Sequence, residues 1–189
     1  MTYAKRFLPR TLASALLPLA LASFATLAVH AAPTPLKTLT ETQTVDIAAK
    51  PDQVWAIVKN FSDLTWVTPV KKSTATNGNV AGSVRTLDFG GAQMTEELVA
   101  YDAGTRQYTY AIQNTPDNQK IAPVSDVKAT ISVAAAADGH SLVTWKATFH
   151  RVDHAANPAE GHDDASAQKT LHGVIEGGLA ALKAKAEQH

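Results

Sequence analysis

The chain has 189 residues, with 17 Lys+Arg against 17 Asp+Glu, 45% hydrophobic side chains and no cysteine, the composition of an ordinary globular protein. The missing cysteines exclude thiol nucleophiles, iron–sulfur ligation, Cys-based zinc sites and acylation as a bacterial lipoprotein. The balanced charge is unevenly spread, because Lys5, Arg6 and Arg10 are the only charges before Lys37.

Leu12 to Val29 is almost wholly apolar, follows that basic start and ends in Val29-His30-Ala31 before Ala32-Pro33. This is the three-part layout of a secretory signal peptide, and cleavage is expected after Ala31. An uncleaved membrane anchor is the competing reading, weakened by Ser14, Pro18, Ser23 and Thr26 in the apolar run. Export implies a periplasmic or secreted protein, with residues 32–189 as its single domain and no membrane anchor after cleavage. Removing residues 1–31 takes away three of the basic side chains and no acidic one, leaving a net charge near −3. That is not the footprint of a nucleic-acid binder.

In chain order, Leu36–Ile47 is rich in Thr and β-branched residues with a loose period of two, which predicts a half-buried strand. Pro51–Val58 predicts a short helix, with proline in the first turn and Val54, Trp55, Ile57 and Val58 on an apolar face. A second short helical turn is expected over Phe61–Trp66. Strands follow at Val70–Thr76, Ser83–Phe89, Gln93–Tyr101, Arg106–Gln113, Val124–Ala134 and Ser141–Arg151. Asn77-Gly78-Asn79, Asp102-Ala103-Gly104 and Asp138-Gly139 are the expected sources of positive φ in the tight turns, so the sheet is an antiparallel meander. Ala165–Glu187 places Leu171, Val174, Ile175, Leu179 and Leu182 at helical spacing. The expected fold is α+β: six or seven antiparallel strands wrapped around a long C-terminal helix, with two short helices after the first strand. A sheet bent around one helix leaves its concave face partly unfilled, and a cavity results.

Several fragments carry a resemblance. Pro51-x-x-Val54-Trp55-x-x-Val58-x-x-Phe61, Trp66-x-x-Pro69, Gly82-Ser83-Val84-Arg85, Thr95-Glu96-Glu97-Leu98, Tyr108-x-Tyr110-x-Ile112 and Gly178-Leu179-x-x-Leu182-Lys183 occur in order over about residues 36–185. Together they resemble the START-like, or SRPBCC, superfamily in its polyketide cyclase/dehydrase-like branch. The resemblance implies a helix-grip fold with a hydrophobic tunnel between sheet and C-terminal helix, binding lipids, sterols, hormones or polyketides. The order is also similar to that of plant abscisic acid receptors, which implies a gate at Asp88–Ala92, hinged on Gly90 and Gly91, and a latch at Ile121–Val124. The receptors' proline-bearing gate and histidine-containing latch are missing, so hormone sensing is not carried over. In layout the chain is also similar to a periplasmic accessory protein of bacterial methanol dehydrogenase.

Alternate strand residues share a face, which turns Arg85, Leu87 and Phe89 inward together, and likewise Met94, Glu96 and Leu98, then Tyr108, Tyr110 and Ile112, and Val143, Trp145, Ala147 and Phe149. The expected ligand-binding wall is Arg85, Leu87, Phe89, Glu96, Tyr108, Tyr110, Ile112, Trp145 and Phe149, closed by Leu171 and Ile175 of the helix. Arg85 and Glu96 form the one expected ion pair, read either as a ligand-orienting device or as a fixer of sheet register. Trp55 and Trp66 are read as packing residues, Trp145 as a cavity floor. His150, His154 and His162, with Asp153, Asp163 and Asp164, supply ligand types that suit zinc or copper, but their spacing matches no metal signature, and Asp163 and Asp164 suit a helix start. No metal or cofactor is assigned. Three functions compete: a carrier of a small hydrophobic or amphipathic molecule, a cyclase- or dehydratase-like enzyme, and an accessory to a periplasmic oxidoreductase. The carrier is preferred, because no Ser-His-Asp set, Cys nucleophile or inward histidine is present to serve as a catalytic pair.

Overall fold

The computed structural model describes residues 1–2 and 36–188. The expected signal peptide and its cleavage point therefore lie outside the described residues, Met1 and Thr2 excepted. Residues 36–188 belong to one compact unit. Its elements run β1 (Leu39–Ile47), α1 (Pro51–Val58), β2 (Lys72–Ala75), β3 (Val84–Asp88), β4 (Gln93–Asp102), β5 (Gln107–Ile112), α2 (Pro116–Ile121), β6 (Val124–Ala135), β7 (Ser141–Arg151) and α3 (Asp164–Ala186).

The seven strands form one sheet in the order β1-β7-β6-β5-β4-β3-β2, every neighbouring pair antiparallel. β2 to β7 are the expected meander, and β1 closes the far edge against β7. The Asp138-Gly139 turn between β6 and β7 has positive φ at both residues, matching the right-handed twist of its strands. In the β4–β5 turn the positive φ falls on Arg106 and not on Gly104. There Asp102 Oδ1 accepts from the N–H groups of Gly104 (2.8 Å) and Thr105 (3.1 Å), so a side chain sets the turn and the left-handed residue moves two positions on.

α1 begins as expected, with Pro51 in its first turn and the Gln53 side chain accepting from the Lys50 N–H at 3.0 Å. The second short helix does not follow it: residues 61–66 form turns. Asn60 and Asp63 accept from backbone N–H groups two residues on (3.1 and 2.9 Å), and such local bonds compete with helix. A second short helix occurs instead between β5 and β6, as α2. Thr115 caps it and Pro116 opens it. The buried Asn118 ties it to β4 by donating to the carbonyls of Thr95 (2.8 Å) and Gln113 (2.7 Å).

α3 is capped by Asp163, whose Oδ1 accepts from the Ser166 N–H at 2.7 Å. Its buried stripe of Leu171, Ile175, Leu179 and Leu182 lies over β1 and β7, and its side is pinned by a polar strip. There Glu41 accepts from Gln43 (2.9 Å) and Gln168 and pairs with His172 (2.9 Å). Among the described residues no helix is long and apolar enough to cross a membrane.

Candidate functional site

Strand parity turns the expected residues toward α3. Arg85, Leu87, Met94, Glu96, Leu98, Tyr108, Tyr110, Val143, Trp145, Ala147 and Phe149 are all buried. They do not fill the space beneath the helix. A cavity of about 590 Å³ lies between β3–β7, the 64–70 turns, the end of α2 and the middle of α3, within the size range of small-molecule sites.

Of the expected ligand-binding residues, Leu87, Phe89, Glu96, Tyr110, Ile112, Trp145, Leu171 and Ile175 line this cavity. Arg85, Tyr108 and Phe149 are buried outside its lining. Parity assigned all of them to the inner face, but it does not say where along a strand the void begins and ends. Gly90 and Gly91 also fall outside the lining; they form the β3–β4 turn with φ of 84° and 142°. The expected latch region contributes Ile121 and Ala122.

Thr68, Pro69, Gly173, Val174 and Gly177 are exposed and also line the cavity, so its rim lies between the 64–70 turns and α3. Val174 was expected on the helix's apolar face, and at 50% exposure it stands at that rim. The alanines and glycines of the lining escaped sequence reasoning, because small residues carry little periodic signal. Ala129 and Ala147 are Cα partners on β6 and β7, and Gly178 lies on α3 against Trp145, two residues from Ala147. A Cβ on Gly178 would run into the Trp145 ring. At Gly173 and Gly177 it would meet nothing within 4 Å. The void arises because small side chains face each other where a packed core would place large ones.

The polar end of the site is the Arg85–Glu96 pair. The two residues are Cα partners on β3 and β4. Arg85 Nε donates to Glu96 Oε2 at 2.8 Å and Nη2 donates to the same oxygen. Nη1 donates to the Phe61 carbonyl at 3.2 Å, and the guanidinium lies 4.3 Å from the Phe61 ring centroid, a cation–π distance. Burial alone would lower the Arg85 pKa. The Glu96 carboxylate outweighs it, and the guanidinium is held above its ordinary value. Burial raises Tyr108, and it raises Tyr110 well above the usual phenol range, with Glu96 contributing. Both phenols are therefore neutral at physiological pH.

Trp145 lines the cavity, but its buried indole Nε1 lacks a hydrogen-bond partner among the described residues, as does that of Trp66. The two rings pack against each other at 6.4 Å. Trp55 packs on Tyr101 at 5.8 Å.

The histidines do not converge. His150 bridges Thr38 (3.1 Å) and Asp126 (3.1 Å), and His154 meets Ser125 at 3.1 Å. His162 lines a separate, more open depression of about 430 Å³ with Lys120 and Asp153. Among the described residues no three His, Asp or Glu side chains gather in a metal-ligating group.

Residues 38–187 match the family described as "Polyketide cyclase / dehydrase and lipid transport". The protein XoxI from Bacillus cereus is 31% identical; its structure superposes with a TM-score of 0.63 over 77% of this chain and 94% of that one. An uncharacterised Bacillus thuringiensis protein is 29% identical, with a TM-score of 0.65 over 78% and 98%. The ZhuI aromatase/cyclase from Streptomyces sp. R1128, at 19% identity and a TM-score of 0.60 over 80% and 95%, shares the fold. No curated protein matches the chain.

Proposed function

Because the chain belongs to the polyketide cyclase/dehydrase and lipid transport family, we propose that it binds one small hydrophobic or amphipathic molecule between its sheet and α3. The observation that carries this reading is the cavity of about 590 Å³, walled by aliphatic and aromatic side chains and reached past Thr68, Pro69 and Gly177. Desolvating an apolar guest against such a wall supplies about 25 cal/mol per Å² buried. Glu96 at the wall offers one polar contact to set the guest's orientation. The same proposal includes export: residues 1–31 are removed after Ala31 and the domain works in the periplasm.

The test is native mass spectrometry of protein purified from its own cell envelope, followed by release and identification of the passenger. A small apolar passenger, on a chain that begins at Ala32, is expected. Ala147→Leu, which pushes a larger side chain into the void, should empty the protein while leaving its stability unchanged or raised by about 1–2 kcal/mol. A wild-type protein that carries nothing and takes up no neutral apolar probe overturns the binding reading. A chain that keeps Met1 overturns cleavage after Ala31, and recovery of the protein from the cytoplasmic fraction overturns export.

A further inference from the structure

Among the described residues, Glu96 is the single charged side chain in the cavity lining, and no Lys, Arg or His shares the wall. Its two oxygens are unequal. Oε2 takes both bonds from Arg85, whereas Oε1 accepts no hydrogen bond among the described residues. Arg85 stands behind it, fully buried and outside the lining, with Nη1 engaged by the Phe61 carbonyl and its face covered by the Phe61 ring. A guest reaching the inner wall therefore meets a carboxylate oxygen, while the compensating cation lies on the far side.

Three kinds of headgroup respond differently to this arrangement. A carboxylate guest meets like charge in a poorly screened space, with no cation in reach. An ammonium guest is attracted to Glu96, but that charge is already balanced by the buried guanidinium, and the desolvation of the ammonium goes uncompensated. A neutral O–H donor satisfies Oε1 and brings no charge, and hydrogen bonds to charged acceptors are among the stronger ones. Resting on the binding function proposed above, we infer that the cavity selects neutral guests bearing an alcohol or phenol hydroxyl, accepted by Glu96 Oε1, and rejects acids of equal apolar bulk.

The test is fluorescence titration of the protein at pH 7 with four matched probes: 1-hydroxypyrene, 1-methylpyrene, 1-pyrenecarboxylate and 1-pyrenemethylamine. The hydroxyl probe is expected to bind about tenfold more tightly than the methyl probe, with the carboxylate and the ammonium each weaker than the methyl. In the double variant Arg85→Met with Glu96→Leu, the hydroxyl probe's affinity should fall to within about threefold of the methyl probe's, while the carboxylate and the ammonium stay weaker because their desolvation remains uncompensated. If that variant does not fold, the wild-type series alone decides. Binding of the carboxylate or the ammonium as tightly as the hydroxyl overturns this selectivity but leaves the cavity a binding site, as does equal binding of the methyl and hydroxyl probes. Failure of all four probes removes the binding function and this inference together.

Discussion

The space beneath α3 has a solid half and a hollow half, built on the same strands. Toward the helix C-terminus, Leu179, Leu182 and Ala186 are buried outside the cavity lining, and α1 packs there against α3, β6 and β7. Toward its N-terminus, Leu171 and Ile175 look into the cavity beside Gly173, Gly177 and Gly178. The boundary crosses the sheet between successive inward residues: Tyr108 and Tyr110 on β5, Ile131 and Ala129 on β6, Val143 and Trp145 on β7. In each pair the first is packed outside the lining and the second faces the void. The difference teaches that inward polarity and residue volume carry separate information: alternation decides which side chains turn in, and their size decides whether anything is left over.

Substitutions at three places test this contrast. The largest effect is expected at the charge pair that straddles it. Arg85→Met alone leaves Glu96 without its cation and should destabilise the fold by about 3–5 kcal/mol in urea unfolding. Combined with Glu96→Leu, it should lie within about 1 kcal/mol of wild type. Equal losses in the single and double variants would mean that the packing of Arg85, not its charge, secures the site.

Two adjacent glycines give the next contrast. Gly178→Ala drives a methyl group into the Trp145 ring and should cost about 1–3 kcal/mol. Gly177→Ala meets open space and should gain up to about 1 kcal/mol of helix propensity. Opposite signs at neighbouring positions in the same unfolding assay locate the edge of the void to one residue. Matching signs would blur it.

The smallest effect concerns the polar strip that pins α3 to β1. Burial pushes the Glu41 carboxyl up, but hydrogen bonds from Gln43, His172 and Gln168 outweigh it and hold the group below its ordinary value. A carboxyl with a depressed folded pKa stabilises the fold at pH above its unfolded value and loses that contribution as pH falls through the folded value. Glu41→Gln should therefore lower the thermal midpoint at pH 7 by about 2 °C and close the gap with wild type near pH 3. A gap that persists at pH 3 would assign the effect to geometry and not to ionisation.

Much of this architecture was readable from residue order alone. β-branched alternation marks β1, turn signals set off the six strands after it, Pro51 and its apolar face mark α1 with both ends in place, and the Leu171–Leu182 spacing marks α3. The parity argument also brought Arg85 and Glu96 face to face. α2 escaped because six residues are too few to establish a period, although Thr115-Pro116 carried a start signal. The helical turn expected over Phe61–Trp66 gives way to turns because Asn60 and Asp63 bond to backbone N–H groups two residues on. The cavity's extent was hidden for a related reason. Ala129, Ala147 and Gly178 are unremarkable in a linear sequence, and their joint effect appears only once β6, β7 and α3 are brought together.

Gly173 and Gly177 leave one side of α3 bare where the cavity opens. Selection for heat resistance, left to act on growth at high temperature alone, would favour alanine at both positions. A chain carrying both alanines would hold its last helix more firmly and would present a narrower opening to the cavity.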